Sequence, residues 1–192
     1  MMNDLLQLLY FLLATLVTLG LFVVSFLLHE LGHALVIALL RGKEAVLEIR
    51  AGSLTFYRGK ILRVGILPIW GYVRFDEENV PPSDWRLIFV AGPAASLFTA
   101  YLFLVLHHFS AMLGFPENWH QVFGIMALAN FALAGFNLIP IPPLDGWKIV
   151  ESWLPLVGIS LSQEARAQMN KWGMIFIMVV SFGFVAIHGF HH

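Results

Sequence analysis

The chain has 192 residues, of which 59% are hydrophobic and only 12% are charged. Soluble domains carry about 25% charged residues, so this composition indicates a membrane protein. Eleven basic residues against twelve acidic ones leave a net charge of −1, which argues against nucleic acid as a partner. Cysteine is absent, so a metal site in this chain would use nitrogen and oxygen ligands.

Four hydrophobic segments are long enough to cross a membrane as helices: residues 5–40, 87–109, 122–139 and 172–190. As a single helix the first would be about 54 Å long, which exceeds the thickness of the hydrocarbon layer. No proline or charged residue marks a turn near Gly20. We therefore predict one long helix that tilts or projects from the bilayer, with a break near Gly20 as the alternative.

The basic residues predict the orientation of these spans. Eight lie between the first and second spans and the other three between the third and fourth: Arg41, Lys43, Arg50, Arg58, Lys60, Arg63, Arg74 and Arg86, then Lys148, Arg166 and Lys171. The positive-inside rule places both of these loops in the cytoplasm and both termini outside. We predict a multi-pass integral protein of a prokaryotic plasma membrane.

The first cytoplasmic loop is predicted to form strands over residues 44–75, because it is rich in β-branched and aromatic residues and is punctuated by glycines. In the second loop, SLSQ at residues 160–163 is a capping-box pattern, which predicts a short surface helix ending near Lys171. The chain is thus predicted to be a single membrane-embedded domain over residues 1–192. Its expected fold class is an all-α polytopic membrane protein with about four transmembrane helices and a small cytoplasmic β-hairpin insertion.

The stretch HELGH, residues 29–33, places two imidazoles and a carboxylate inside the first hydrophobic segment. Residues four apart share a helix face, so His29 and His33 can bind one metal ion. Glu30 lies beside the first of them and can act on a water there as a general base. Polar groups at this depth are costly unless they pair or function, which favours a zinc site over a hydrogen-bonded cluster. His33 lies about 12 Å along the helix from Arg41, so the site is predicted to open to the cytoplasm.

A catalytic zinc site takes a third protein ligand, and the sequence offers one acid on the same side of the membrane. Asp145 lies in NLIPIPPLDG, residues 137–146, where prolines end the third span. Backbone groups freed by these prolines must face protein or a water-filled cavity. Asp145 can be the third ligand, or it can cap the next helix and stay solvated. The spacing alone leaves both interpretations open.

Three motifs together resemble the site-2 protease family of intramembrane zinc metalloproteases. HELGH, AGPAAS at residues 91–96 and NLIPIPPLDG follow one another in the order of that family. The resemblance implies that His29, His33 and Asp145 bind one zinc ion and that Glu30 is the catalytic base. It also implies that Asn137 lies near the substrate.

The segment PIWGYV, residues 68–73, is similar to the β-loop of this family, which is thought to pair with an extended substrate through strand addition. Gly71 is therefore a candidate substrate-binding residue. Trp70 and Trp147 stand where the family often has glycine, which leaves the loop shape and the substrate preference open. We interpret AGPAAS mainly as a small-residue packing motif, and Asn130 as a polar contact between helices rather than part of a water route.

The predicted function is an endopeptidase that cleaves peptide bonds within or near transmembrane segments of other membrane proteins. Its expected partners are a transmembrane substrate and membrane lipids, with a homodimer or a regulatory membrane partner as open alternatives. A zinc transporter is the first competing function, although it would place acidic or histidine residues at the midplane of several spans. A proteolytically silent adaptor is the second, and it would tolerate loss of His29.

Overall fold

A computed structural model describes the backbone of residues 2–76 and 79–189 and the side chains of residues 5–76 and 79–181. Helix α1 extends over Met2–Arg41 as one unbroken helix. Its last residue, Arg41, is basic, and a positive charge interacts favourably with the negative C-terminal end of the helix dipole. It passes through Gly20 without interruption, and no neighbouring atom lies within 4 Å of where a Cβ would stand there. The prediction of one long helix is therefore confirmed.

A two-stranded antiparallel sheet follows a short 3-10 turn at Lys43–Ala45. Strand β1 covers Val46–Arg58 and strand β2 covers Leu62–Phe75, so the predicted strand-forming loop is present. The base of this β1–β2 hairpin packs against the C-terminal half of α1 and the start of the next helix. The resulting core consists of Ala34, Ile37, Ala45, Val46, Ile49, Val80, Trp85 and Ile88.

Helices α2, Pro82–Ser110, and α3, Glu117–Asn137, complete a bundle with α1. Where α1 packs against α2, a Cβ on Gly32 would lie 2.6 Å from the carbonyl oxygen of Ala91, so only glycine fits there. Asn130 of α3 is fully buried and donates a hydrogen bond to Ser25 Oγ of α1 at 3.0 Å. As predicted, this amide links two helices.

Helix α4, Asp145–Glu151, follows the proline-rich turn, and a 3-10 turn at Leu154–Val157 leads to helix α5, Gln163–Gly189. The prediction of a separate short helix ending near Lys171 is wrong, because α5 continues through that point. No proline interrupts this stretch, so nothing in the sequence stops the helix. The Ser162 hydroxyl accepts the N–H of Ala165 at 3.1 Å and caps the start of the helix.

Three described helices are long and apolar enough to cross a membrane: Leu5–Arg41, Pro82–Ser110 and Glu117–Asn137. They confirm a mostly helical membrane fold with a small sheet. The predicted fourth span, residues 172–190, falls on α5, but Phe190 and the side chains after residue 181 lie outside the described residues. The fourth crossing therefore remains a prediction.

Candidate metal centre

Two imidazoles meet on one buried face of α1. His29 and His33 lie one helical turn apart, and their Nε2 atoms are 3.3 Å from each other. The rings stand edge to face, with centroids 5.0 Å apart. Both residues are buried inside the bundle at the level where α2 crosses α1. The face predicted from the spacing of the two histidines is thus the face that turns inward.

Asp145 reaches this pair from the far end of the chain. Its Oδ2 lies 3.1 Å from His29 Nε2 and 3.3 Å from His33 Nε2. The turn that brings it there depends on Gly146, because a Cβ at that position would collide with the carbonyl of Leu138. Asp145 is the first residue of α4, but its side chain points to the histidines rather than into solvent. The side chain therefore does not stay solvated, and its role as a metal ligand stays a prediction.

These three side chains could hold a metal ion, since their ligand atoms all lie within 4.8 Å of one another. Two imidazole nitrogens and one carboxylate oxygen are ligands that zinc accepts in catalytic sites. Burial alone would raise the pKa of the Asp145 carboxyl. The charge of His33 and hydrogen bonds with both imidazoles outweigh this effect and hold that pKa below its usual value. The carboxyl is therefore ionised at neutral pH, as a ligand must be.

The second nitrogen of each imidazole has a partner on α2. His33 Nδ1 donates to the carbonyl oxygen of Ile88 at 2.7 Å, so in the neutral imidazole the lone pair lies on Nε2, on the side of Asp145. His29 Nδ1 lies 2.9 Å from Ser96 Oγ. Orientation of ligand imidazoles through their outer nitrogen is typical of metal sites. The donor set and its surroundings therefore fit zinc.

Space for an ion depends on a glycine of α2. A Cβ on Gly92 would collide with His33 Nε2 and would lie 2.9 Å from His29 Nε2. The absence of a side chain at this position keeps the ligand nitrogens free on the side that faces α2. We predicted AGPAAS to serve packing, and the contacts of Gly92 and Ser96 place this motif against the candidate metal ligands as well. In the sequence, the contact of Ser96 was indicated only by a polar residue among small ones, and this pattern did not identify His29 as its partner.

Glu30 is buried next to the histidine pair, and the β1–β2 hairpin covers it. A Cβ on Gly71 of β2 would collide with Glu30 Oε1 and would lie 2.7 Å from the carbonyl oxygen of Arg50. Gly71 was predicted from the resemblance as a substrate-binding residue, and the structure places it against the predicted base. Asn137, the other candidate for substrate binding, donates to the carbonyl of Leu133 in its own helix at 2.9 Å. The substrate roles of both residues stay predictions.

Comparison with known proteins identifies the class of this chain. The sequence pattern of peptidase family M50 matches residues 17–118 and 112–180, so the chain belongs to that family. The fold is similar to the site-2 protease from Methanocaldococcus jannaschii, with a TM-score of 0.59 and 25% identity over 90% of this chain and 68% of that one. The resemblance to the site-2 protease family is confirmed.

Curated relatives carry zinc metalloprotease names. The putative zinc metalloprotease YwhC of Bacillus subtilis is 32% identical over 174 residues, which cover 82% of this chain and 76% of YwhC. The putative zinc metalloprotease sll0528 of Synechocystis is 33% identical over 137 residues, or 71% of this chain. This chain spans only 31% of the length of sll0528. These names confirm the predicted class, a zinc metalloprotease of the site-2 type.

Proposed function

We propose that this chain is an intramembrane zinc metalloendopeptidase that hydrolyses peptide bonds within or near transmembrane segments of other membrane proteins. The observation that carries the proposal is the convergence of His29, His33 and Asp145, with Glu30 beside them, inside a bundle of membrane-length helices. A buried group of this kind would destabilise a membrane protein unless it paired or functioned. Membership of peptidase family M50 supports hydrolysis as that function.

In this proposal His29, His33 and Asp145 hold a single zinc ion. When bound, zinc polarises a carbonyl and lowers the pKa of a water to about 7. Glu30 takes a proton from the attacking water as the oxygen adds to the scissile carbonyl carbon. The same carboxyl then returns that proton to the amine nitrogen as the carbon–nitrogen bond breaks. The burial of Glu30 supports this role, because it keeps bulk water from competing for the carboxylate.

The substrate is proposed to be a transmembrane protein whose helix unwinds locally, since a helical peptide hides its carbonyls in hydrogen bonds. An extended peptide that pairs with β2 near Gly71 would lie next to Glu30, which supports the hairpin as the place of substrate binding. Asn137 is proposed to lie near the same peptide.

The proposed setting is a single membrane-embedded domain over residues 1–192 in a prokaryotic plasma membrane, with the site opening to the cytoplasm. The distribution of basic residues supports this orientation. Membrane lipids surround the domain. A homodimer or a regulatory membrane partner would be compatible with the exposed apolar face of the first half of α1.

Reconstitution of the purified chain in liposomes with candidate single-span proteins tests the proposal. We expect truncation of a cognate substrate that stops when a chelator removes zinc. Glu30→Gln should keep the fold and the zinc but abolish cleavage, whereas Glu117→Gln, at an exposed acid on α3, should cleave as the parent does. If Glu30→Gln cut the substrate as fast as the parent, the proposed mechanism would be wrong.

A further inference from the structure

Helix α2 supplies no metal ligand, but it contacts both ligand imidazoles through their outer nitrogens. Ile88 O accepts from His33 Nδ1 at 2.7 Å, and Ser96 Oγ lies 2.9 Å from His29 Nδ1. Both imidazoles turn the opposite nitrogen, Nε2, toward Asp145. One segment of α2 therefore determines how the two rings are presented to the third ligand.

The contact at His33 allows only one neutral tautomer of its imidazole. A backbone carbonyl has no proton to donate, so Nδ1 of His33 must carry a hydrogen, and in the neutral imidazole that binds a metal the lone pair is then on Nε2. The presentation of His33 is thus built into the backbone.

The contact at His29 is different, because a serine hydroxyl can either donate or accept a hydrogen bond. His29 can present the lone pair of Nε2 to a metal only when Nδ1 carries the proton, and Ser96 then has to accept. We infer that Ser96 is a positioning residue, an inference that rests on the proposed function. Its hydroxyl accepts a hydrogen bond from Nδ1–H of His29 and so fixes the tautomer and the ring orientation that bind zinc.

Packing alone does not account for a hydroxyl at this position. Ser96 has no exposed surface, and an alanine would serve a small-residue helix contact equally well. A buried hydroxyl without a partner would be destabilising. Thr99 on the same helix and Ser25 on α1 donate to carbonyls of their own helices four residues earlier. The hydrogen bond of Ser96 instead crosses to the ligand-bearing helix α1.

Zinc affinity tests this inference without any substrate. Purified parent, Ser96→Ala and Thr99→Val proteins would be titrated with zinc in competition with a chelator of known affinity. Ser96→Ala should bind zinc about 10- to 100-fold more weakly, as is usual for loss of a partner behind a ligand histidine. Thr99→Val removes a buried hydroxyl from the same helix but leaves the ligands untouched, so its affinity should match that of the parent.

A spectroscopic measurement separates positioning from a general packing effect. With Co²⁺ in place of zinc, Ser96→Ala should change the visible absorption of the site, whereas Thr99→Val should leave it unaltered. Equal zinc affinity and an identical cobalt spectrum in Ser96→Ala would overturn the inference, as would equal losses in both variants. If the parent cleaves its substrate and binds zinc while Ser96→Ala behaves like the parent, only this inference fails. If the parent binds no zinc, the proposed function fails with it.

Discussion

Gly71 of β2 lies directly against the carboxylate of Glu30 on α1, so the β1–β2 hairpin reaches the residue proposed as the catalytic base. The contact leaves no room for a side chain at position 71. It places the strand proposed to hold the substrate and the group proposed to move its proton side by side. A change in the hairpin can therefore alter catalysis without touching the metal ligands.

Gly71→Ala should impair cleavage while the protein keeps its zinc. The new Cβ would force Glu30 Oε1 or the strand to move, and a displacement of about 1 Å at a reacting group lowers rates by roughly 100-fold. Cleavage rate and zinc content, measured on the same preparation, check this. Loss of zinc together with activity, or unchanged activity, would show that the contact does not position the base.

Gly92→Ala, unlike Gly71→Ala, should lose the zinc ion. The added Cβ would occupy space beside both Nε2 atoms, so we expect zinc content after purification to fall to background. Gly20→Ala on α1 is the matched control, since a Cβ on Gly20 meets no described atom within 4 Å. Elemental analysis measures the zinc content of both variants. A full zinc complement in Gly92→Ala would exclude a metal ion beside the Nε2 atoms of His29 and His33.

The parts of the site that follow local rules could be predicted from the sequence. His29, Glu30 and His33 lie within five residues, and helical periodicity places the two histidines on one face. Asp145 is separated from His29 by 116 positions, and its distance depends on a chain reversal that spacing does not encode. Asp145 could be named as a candidate third ligand only from its residue type and from the resemblance to a family.

The contacts behind the ligands were beyond reach of the sequence. The hydrogen bond between Ser96 and His29 depends on where α2 crosses α1. At that crossing Gly32 lies against the backbone of Ala91, with no room for a side chain. The continuity of α5 was missed for a different reason. The change from polar to apolar composition near Lys171 resembles a boundary, but composition does not break a helix that lacks proline.

Asn130 and Ser25 should be energetically coupled, because their hydrogen bond joins α3 to α1 one turn before His29. A double-mutant cycle with Asn130→Ala and Ser25→Ala, followed by unfolding in mixed micelles, measures this coupling. We expect about 1 kcal/mol in the free energy of unfolding, which is typical of side-chain hydrogen bonds between membrane helices. Additive effects of the two substitutions would contradict a direct bond.

Glu151 should anchor α5 to the helix that carries Asp145. Its carboxylate is buried, 3.0 Å from Lys148 Nζ and 2.7 Å from Arg166 Nε. Glu151→Ala leaves two partly exposed cations without this partner and should lower the free energy of unfolding by about 2 kcal/mol. Glu164→Ala, at an exposed acid in the first turn of α5, should change it little. Equal stability of the two variants would show that the ion pairs do not hold α5.

X-ray absorption at the zinc edge reports the atoms that surround the metal, so it tests whether His29, His33 and Asp145 bind one zinc ion. For the purified Glu30→Gln protein we expect one zinc ion bound by two imidazole nitrogens and a carboxylate oxygen. His29→Ala should halve the imidazole signal or lose the ion, and Asp145→Ala should remove the carboxylate contribution or lose the ion. A zinc environment that is identical in all three proteins would contradict the proposed metal centre.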